Sequence, residues 1–390
     1  MNDERDSRIK LRDLVMNRID EDTFEGKYNA SVRKRVLFIL AAVTTAVILF
    51  FVAISLGSVD IPFIDTMRAF GHTLFPNWVN PPSQSYYSDF IFKGRMPRMI
   101  LVVLTGFSLG ISGMIMQGLL RNPLVSPFTL GVSTAASFGA AMAIIIGSSV
   151  FGGAMGMVFY IGDIRLAFND ITMVLFAFIF AMVSIFIVLV LTRGKGSGTS
   201  RSTVILSGVV ISYLFQAGIM ASKYFSDDDQ LREITMWIMG SMTRATWGST
   251  IILLPIVVIC GAYLFKLSVD INALSAGDDV ASTLGVNVGK LRRNGLVVST
   301  LIASACLAFT GVIGFIGLMA PHICRMIIGN DSRYLMIASG LTGVIVLSVS
   351  DLFCRMVIRP GELPVGIVLY AIGGLFFIWM ISNKRWSQRI

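Results

Sequence analysis

Apolar residues run along this chain in blocks of about twenty, divided by short polar punctuation, and that rhythm sets the architecture before any motif is considered. Ten blocks stand out, at 36–56, 99–120, 127–147, 171–191, 203–222, 249–267, 295–313, 315–328, 334–354 and 363–382. A helix of about 20 residues crosses the hydrocarbon core of a bilayer. Only helices and closed barrels satisfy their backbone groups there, and these blocks are too long and continuous for barrel strands. The pattern predicts an all-α polytopic membrane protein with about ten transmembrane helices. The eighth block is the most interrupted, by Pro321, His322 and Arg325. A further apolar stretch, 151–160, is too short and glycine-rich to span.

Two stretches break the rhythm. Residues 1–35 are charged and hold no apolar run, so they read as a cytoplasmic tail and not a signal peptide. Residues 270–293, DINALSAGDDVASTLGVNVGKLRR, are the one extended soluble-looking segment of the second half. Leu274, Val280, Ala281 and Leu284 recur there at helical spacing, and Gly277 and Gly285 punctuate it. This predicts a short amphipathic helix pair. Two surroundings fit it comparably, a soluble partner that pushes on it and the lipid interface. The domain reading is a tail at 1–35, a permease body at 36–385 with this loop at 268–293, and a C-terminal end at 386–390.

Composition agrees with the membrane class. Hydrophobic residues make up 55% of the 390 and charged residues 14%, with mean hydropathy +0.76; a soluble domain carries about 25% charged residues. Ten crossings put both termini on one side, and 22 of the 32 Lys and Arg residues then fall on that side. The positive-inside rule places the termini and the 270–293 loop in the cytoplasm, and the chain in the cytoplasmic membrane. The net charge of +9 follows from that bias, and no aromatic–basic platform points to nucleic acid.

Catalytic chemistry is missing from the sequence. It holds no phosphate-cradling GxxxxGK[ST], no HExxH and no GxSxG, so the chain reads as no enzyme and carries no ATPase of its own. Cys260, Cys306, Cys324 and Cys354 lie in or beside apolar blocks without a CxxC pair and read as small buried hydrophobes. His72 and His322 are too scattered for a metal site, and no cofactor is implied. His322, after Pro321, sits where a broken helix needs its carbonyls satisfied. Asp351 is the main acid inside the blocks. Ion-coupled carriers usually bury acids near mid-membrane, which speaks against the alternative of an ion-coupled secondary carrier. Gly106, Gly110, Gly113 and Gly118 in the second block permit close helix approach, either as plain packing or as the wall of a path.

Five stretches match a known family. They are Arg95-Met-Pro-Arg98, ISGMIMQGLLRNPLVSPFTLGVS at 111–133, ALSAGDDVASTLGVNV at 273–288, GVIGFIGLMAPHICR at 311–325 and GELPVGIVLYAIGGLFFIW at 361–379. In this order they resemble the permease subunits of the ATP-binding-cassette importers for iron-siderophores, haem and cobalamin (type II), over about residues 36–385. The long charged tail and the acidic run SDDDQLR at 226–232 depart from that pattern.

The resemblance implies a ten-helix subunit with inverted-repeat halves, paired with a second copy or a paralogue. Two cytosolic ATPase subunits bind on one side and an extracytoplasmic substrate-binding protein docks on the other. It implies that the 268–293 loop forms short cytosolic coupling helices. Ala273, Leu274, Gly277, Asp278, Ala281, Leu284 and Gly285 would then meet the ATPase, with Ala273, Gly277 and Ala281 small enough to let it close in. Outer-face Arg95, Arg98 and Arg355, with Arg359 beside them, would grip acids on the binding protein, a task suited to the bidentate guanidinium; headgroup anchoring is the other reading. Asn122, Leu124, Thr199 and Ser200 match the family's cytoplasmic gate, and a proline turn and helix cap are compatible with that. The cargo expected is an iron-siderophore first, then haem or a corrinoid.

Overall fold

The computed structural model describes residues 24–57, 59–147, 157–161, 164–192 and 201–382. Thirteen helices follow one another: α1 (Phe24–Ser55), α2 (Phe63–Leu74), α3 (Tyr86–Leu120, with a π-helical turn at Phe90–Arg95), α4 (Val132–Ile146), α5 (Phe168–Leu191), α6 (Arg201–Phe225), α7 (Asp228–Ile238), α8 (Trp247–Ser275), α9 (Asp278–Thr283), α10 (Val288–Thr310), α11 (Ile316–Ile328), α12 (Ser332–Val357) and α13 (Val365–Ser382). A two-stranded antiparallel hairpin, β1 (Val158–Ile161) and β2 (Ile164–Ala167), precedes α5 and pairs Val158 with Ala167.

Each of the ten apolar blocks falls on a helix. Among the described residues eight helices are long and apolar enough to cross a membrane, while α4 and α11 are shorter. Local chemistry explains both. The third block opens at Pro127, but a turn closed by the Thr129 hydroxyl on Ser126 (2.8 Å) and left-handed Gly131 delay α4 to Val132. Gly311 and Phe315, both at positive φ, separate α10 from α11.

The 270–293 segment differs from its expectation. α8 runs on to Ser275 and α10 starts at Val288, so the segment is the six-residue α9 held between the ends of two spans, not a free helix pair. Gly277 (φ +130°) breaks the chain before α9, and Gly285 (φ +84°) ends it in a Schellman turn, with Val286 N–H donating to the Ala281 carbonyl at 3.0 Å. Two further helices carry no sequence expectation. α2 exposes Phe63, Ile64 and Leu74 and turns Asp65, Thr66 and Ala69 inward. Hydrogen bonds from the Ser83 hydroxyl (2.6 Å) and amide (3.1 Å) hold the Asp65 carboxyl below its ordinary range. α7 begins in a capping box in which Asp227 accepts from the Gln230 amide (2.8 Å), which gives the acidic run a local role.

The core is built around α3, the most buried of the long apolar helices. Its glycines settle the packing question raised by the sequence. Gly106 lies against Gly343 of α12, where a Cβ would come within 2.7 Å of the Gly343 carbonyl oxygen, and Gly110 lies against Ser339 and Gly340. Gly113 meets Gly317 of α11. These are backbone-to-backbone approaches inside one subunit. Pro321 removes the N–H that would bond the carbonyl four residues earlier. Gln117 of α3 supplies the replacement, donating from Nε2 to Gly317 O at 3.1 Å while its Oε1 accepts from Arg325 (3.0 Å). His322, expected in that backbone role, instead packs its ring against Phe376 and Phe377 of α13.

Candidate functional site: the two ends of α3

The end of the bundle carrying α9 is called inner below and the opposite end outer. At the outer end the arginine motif is folded inward. Arg95 is buried and donates to the carbonyls of Ile54 (2.6 Å), Ser55 (2.7 Å) and Val59. Arg98 pairs with Asp351 (2.8 Å) and Glu362 (2.7 Å). Arg355, 3% exposed, lies 3.1 Å from the second oxygen of Asp351 and donates to the Ala53 (2.9 Å) and Leu56 (3.1 Å) carbonyls. Arg359 is more open and pairs with Asp60 at 2.9 Å. These side chains stitch α3, α12, the end of α1 and the chain just after it together. Arg95, Arg98 and Arg355 are thus engaged within the subunit, because a guanidinium this deep needs internal partners to offset its desolvation.

The cluster is not neutral. Arg95, Arg98 and Arg355 face two carboxylates, Asp351 and Glu362, and a pocket of about 230 Å³ opens on the group, lined also by Gly57, Gly94 and Thr243. One guanidinium in excess leaves it able to accept a carboxylate from outside. Asp351, the one notable acid of the apolar blocks, accepts from Arg98 through one oxygen, while its other oxygen lies in ion-pair range of Arg355 without a formed hydrogen bond.

At the inner end the coupling segment divides by face. Leu274 and Ala281 are completely buried within this chain, so they anchor the loop and cannot meet a partner as expected. Outward stand Val280 (45% exposed) and Leu284 (67%), with Asp279, Ser282 and Gly285 beside them. Ala273 and Gly277 are half-buried. Asp278 heads α9 as expected for a charge favoured by the helix dipole, but it is paired inward with Arg292 (3.1 Å) and lies 3.9 Å from Arg121. Arg292 is itself buried and donates from Nε to the Leu119 carbonyl at the end of α3 (3.2 Å). The loop is thereby pinned to the central helix.

Beyond α3 the chain turns at Arg121 (φ +48°), and Asn122 holds the turn by accepting from the Leu124 amide at 2.9 Å. Leu124 is exposed beside it. Thr199 and Ser200, the other two gate residues, lie outside the described residues.

Sequence reasoning missed Arg292, Gln117 and a clasp on Asp331. That carboxylate caps α12 and joins Arg35 of α1 (3.1 Å), Asn272 of α8 (2.9 Å) and Arg333 (2.9 Å). Hydrogen bonds from Arg333, then Asn272, hold its pKa down to about 2. The only available signal was the proline four residues after Gly317, which announces an orphan carbonyl. All four cysteines are buried and free. Among the described residues no three His, Cys, Asp or Glu side chains gather as a metal site.

Comparison with known proteins follows the same lines. The model of the FecCD transport family matches residues 45–383. The hemin transport system permease protein HmuU of Yersinia pestis is 35% identical over 292 residues, 75% of this chain and 82% of that one. The cobalamin import system permease protein BtuC of Halobacterium salinarum is 33% identical over 291 residues, covering 75% and 73%. In fold, the chain is similar to an inward-facing metal-chelate type ABC transporter, with TM-score 0.73 at 24% identity over 88% of this chain and 98% of that one.

Proposed function

The chain belongs to the FecCD transport family, a permease of the ATP-binding-cassette importer class, and from that premise we propose that it passes a bulky metal chelate from an extracytoplasmic binding protein to the cytosol. An iron-siderophore is the first expectation for the cargo, with haem or cobalamin next. The observation that carries the reading is α9. It is a short helix between two positive-φ glycines, with Val280 and Leu284 facing outward and Arg292 tying it to the end of α3. Exposed apolar side chains at the inner end call for a cover. A separate ATPase subunit supplies one, and closure of two such subunits would push on α9 and thence on α3 and the Asn122 turn.

The partners follow from that scheme. A second copy or a paralogue would complete the path, with Leu124 facing its mate as part of the cytoplasmic gate. Leu124→Cys is expected to cross-link across the pair in the closed state and to lose yield on opening, because a disulfide needs Cα atoms within about 7 Å. The four native cysteines, all free, are replaced first. The outer arginine pocket, positive by one charge, would take an acid of the binding protein, and that association is expected to weaken as salt is raised. The charge bias would put both termini in the cytosol.

Vesicles test the whole reading. Uptake of a ferric siderophore, haem or cobalamin should require the ATPase subunit and ATP. Uptake by the permease alone, driven by an ion gradient, would establish the secondary-carrier alternative instead. Asp351 gives that alternative no support, since its carboxylate is charge-paired with Arg98 and Arg355.

A further inference from the structure

A second cavity shares no lining residue with the outer arginine pocket, although Arg244 and Thr246 of the one alternate with Thr243 and Ala245 of the other. It is a crevice of about 290 Å³ between the first turns of α5 and α8 and the last turn of α10. Met173, Phe178, Ile252, Ile256, Ala308 and Phe309 wall it, and the walls are almost wholly apolar. From Phe168 to Phe178 a helix descends about 15 Å, half of the roughly 30 Å hydrocarbon core. The crevice therefore has the depth of one leaflet. Its rim is formed by membrane-spanning helices whose outward side chains, Leu175 and Ile252, are exposed as lipid-facing residues are.

The mouth is charged. Arg244 and Asp170 both line it. The Arg244 guanidinium reaches one carboxylate loosely, Glu233 at 3.6 Å, and otherwise donates to the thioether of Met173 at 2.9 Å. A thioether is a weak acceptor, so this guanidinium holds capacity for a stronger one. Two carboxylates to one guanidinium make the rim unfavourable for a purely anionic group and favourable for one carrying both a phosphate and a primary amine.

We propose that the crevice is a phospholipid site: one acyl chain fills it, the phosphate lies on Arg244 and the amine on Asp170, so that phosphatidylethanolamine is the preferred occupant. The site is independent of the transported cargo. It would fix the outer ends of α5, α8 and α10 relative to each other, as a filled core does.

Native mass spectrometry of the delipidated permease–ATPase complex, titrated with phosphatidylethanolamine or phosphatidylglycerol of matched chains, reads the proposal. One phosphatidylethanolamine per permease copy is expected to bind at least about tenfold tighter than phosphatidylglycerol, in line with one well-made charge-assisted contact. Asp170→Asn should remove that preference, because phosphatidylglycerol shares the phosphate but lacks the amine, and Ile252→Trp, which fills the crevice from its exposed rim, should remove the tight lipid with Asp170 intact. Melting curves control for folding: lipid-free variants should melt with the wild type but lose the lipid-induced rise. Equal affinity for both lipids, or retention of the tight lipid in both variants, would leave only a nonspecific annulus and overturn the site.

Discussion

The two ends of α3 meet their surroundings in opposite ways. At the outer end three arginines turn inward and stitch the fold, with Asp351 and Glu362 as counter-charges. At the inner end an ion pair between buried Arg292 and half-buried Asp278 holds the loop down, but Val280 and Leu284 are left facing out. The difference teaches that charge and exposure are separate signals. The outer arginines have work inside the subunit, and whatever docks there meets a residual charge at the mouth of a pocket. The inner loop offers an apolar contact, which buries well against a close-fitting partner.

The comparison breaks most visibly at Asp351. Asp351→Ala leaves Arg98 and Arg355 facing each other without their shared carboxylate, and a loss of about 3–5 kcal/mol is expected for an unpaired buried charge. Melting in detergent measures it; a variant that melts with the wild type would mean the arginines are free after all. Ala281→Arg comes next. The side chain is completely buried, so the expected result is a misfolded or poorly inserted permease, through overpacking of about 1–3 kcal/mol plus the burial of a charge. Normal insertion with loss of ATPase binding alone would return Ala281 to the partner face.

Smaller effects sharpen the contrast. Gln117→Leu orphans the Gly317 carbonyl and should cost about 1–3 kcal/mol, again read as a lower melting temperature with ATPase association intact. The Asp331 clasp carries a pH signature. Its carboxyl is held down to about 2 in the fold against an ordinary 3.8. The folded state therefore binds fewer protons than the unfolded one, and the stabilisation is present above about pH 4 and fades as pH falls toward 2. Asp331→Asn should flatten that part of the acid-denaturation profile; an unchanged slope would discount the clasp.

Much of the fold was legible because blocks of about twenty apolar residues are a robust signal. The site was only half legible, for reasons that differ at the two ends. Arg98 looked unpartnered because Asp351 and Glu362 lie 253 and 264 residues away in sequence, and spacing rules carry no information over that range. At the inner end Leu274, Val280, Ala281 and Leu284 looked like one helical face. Gly277, at φ +130°, interrupts the helix between Leu274 and the other three and resets the phase. The six-residue α9 is then too short for periodicity to tell the inward Ala281 from the outward Val280 and Leu284. Gly277 and Gly285 themselves were read correctly as punctuation, since positive φ is where glycine is favoured. α2 escaped notice because its exposed side is apolar and its buried side holds Asp65, the reverse of the usual helix pattern.

The most direct test of the coupling surface is the pair Val280→Arg and Leu284→Arg, purified with the ATPase subunit and reconstituted. Both positions face outward, so each variant should insert and melt like the wild type. Each should also lose ATPase copurification by at least about tenfold, together with ATP-driven uptake, as a charge placed in a close-packed apolar contact demands. Full copurification and uptake in both variants would contradict the assignment of α9 as the surface that receives the ATPase.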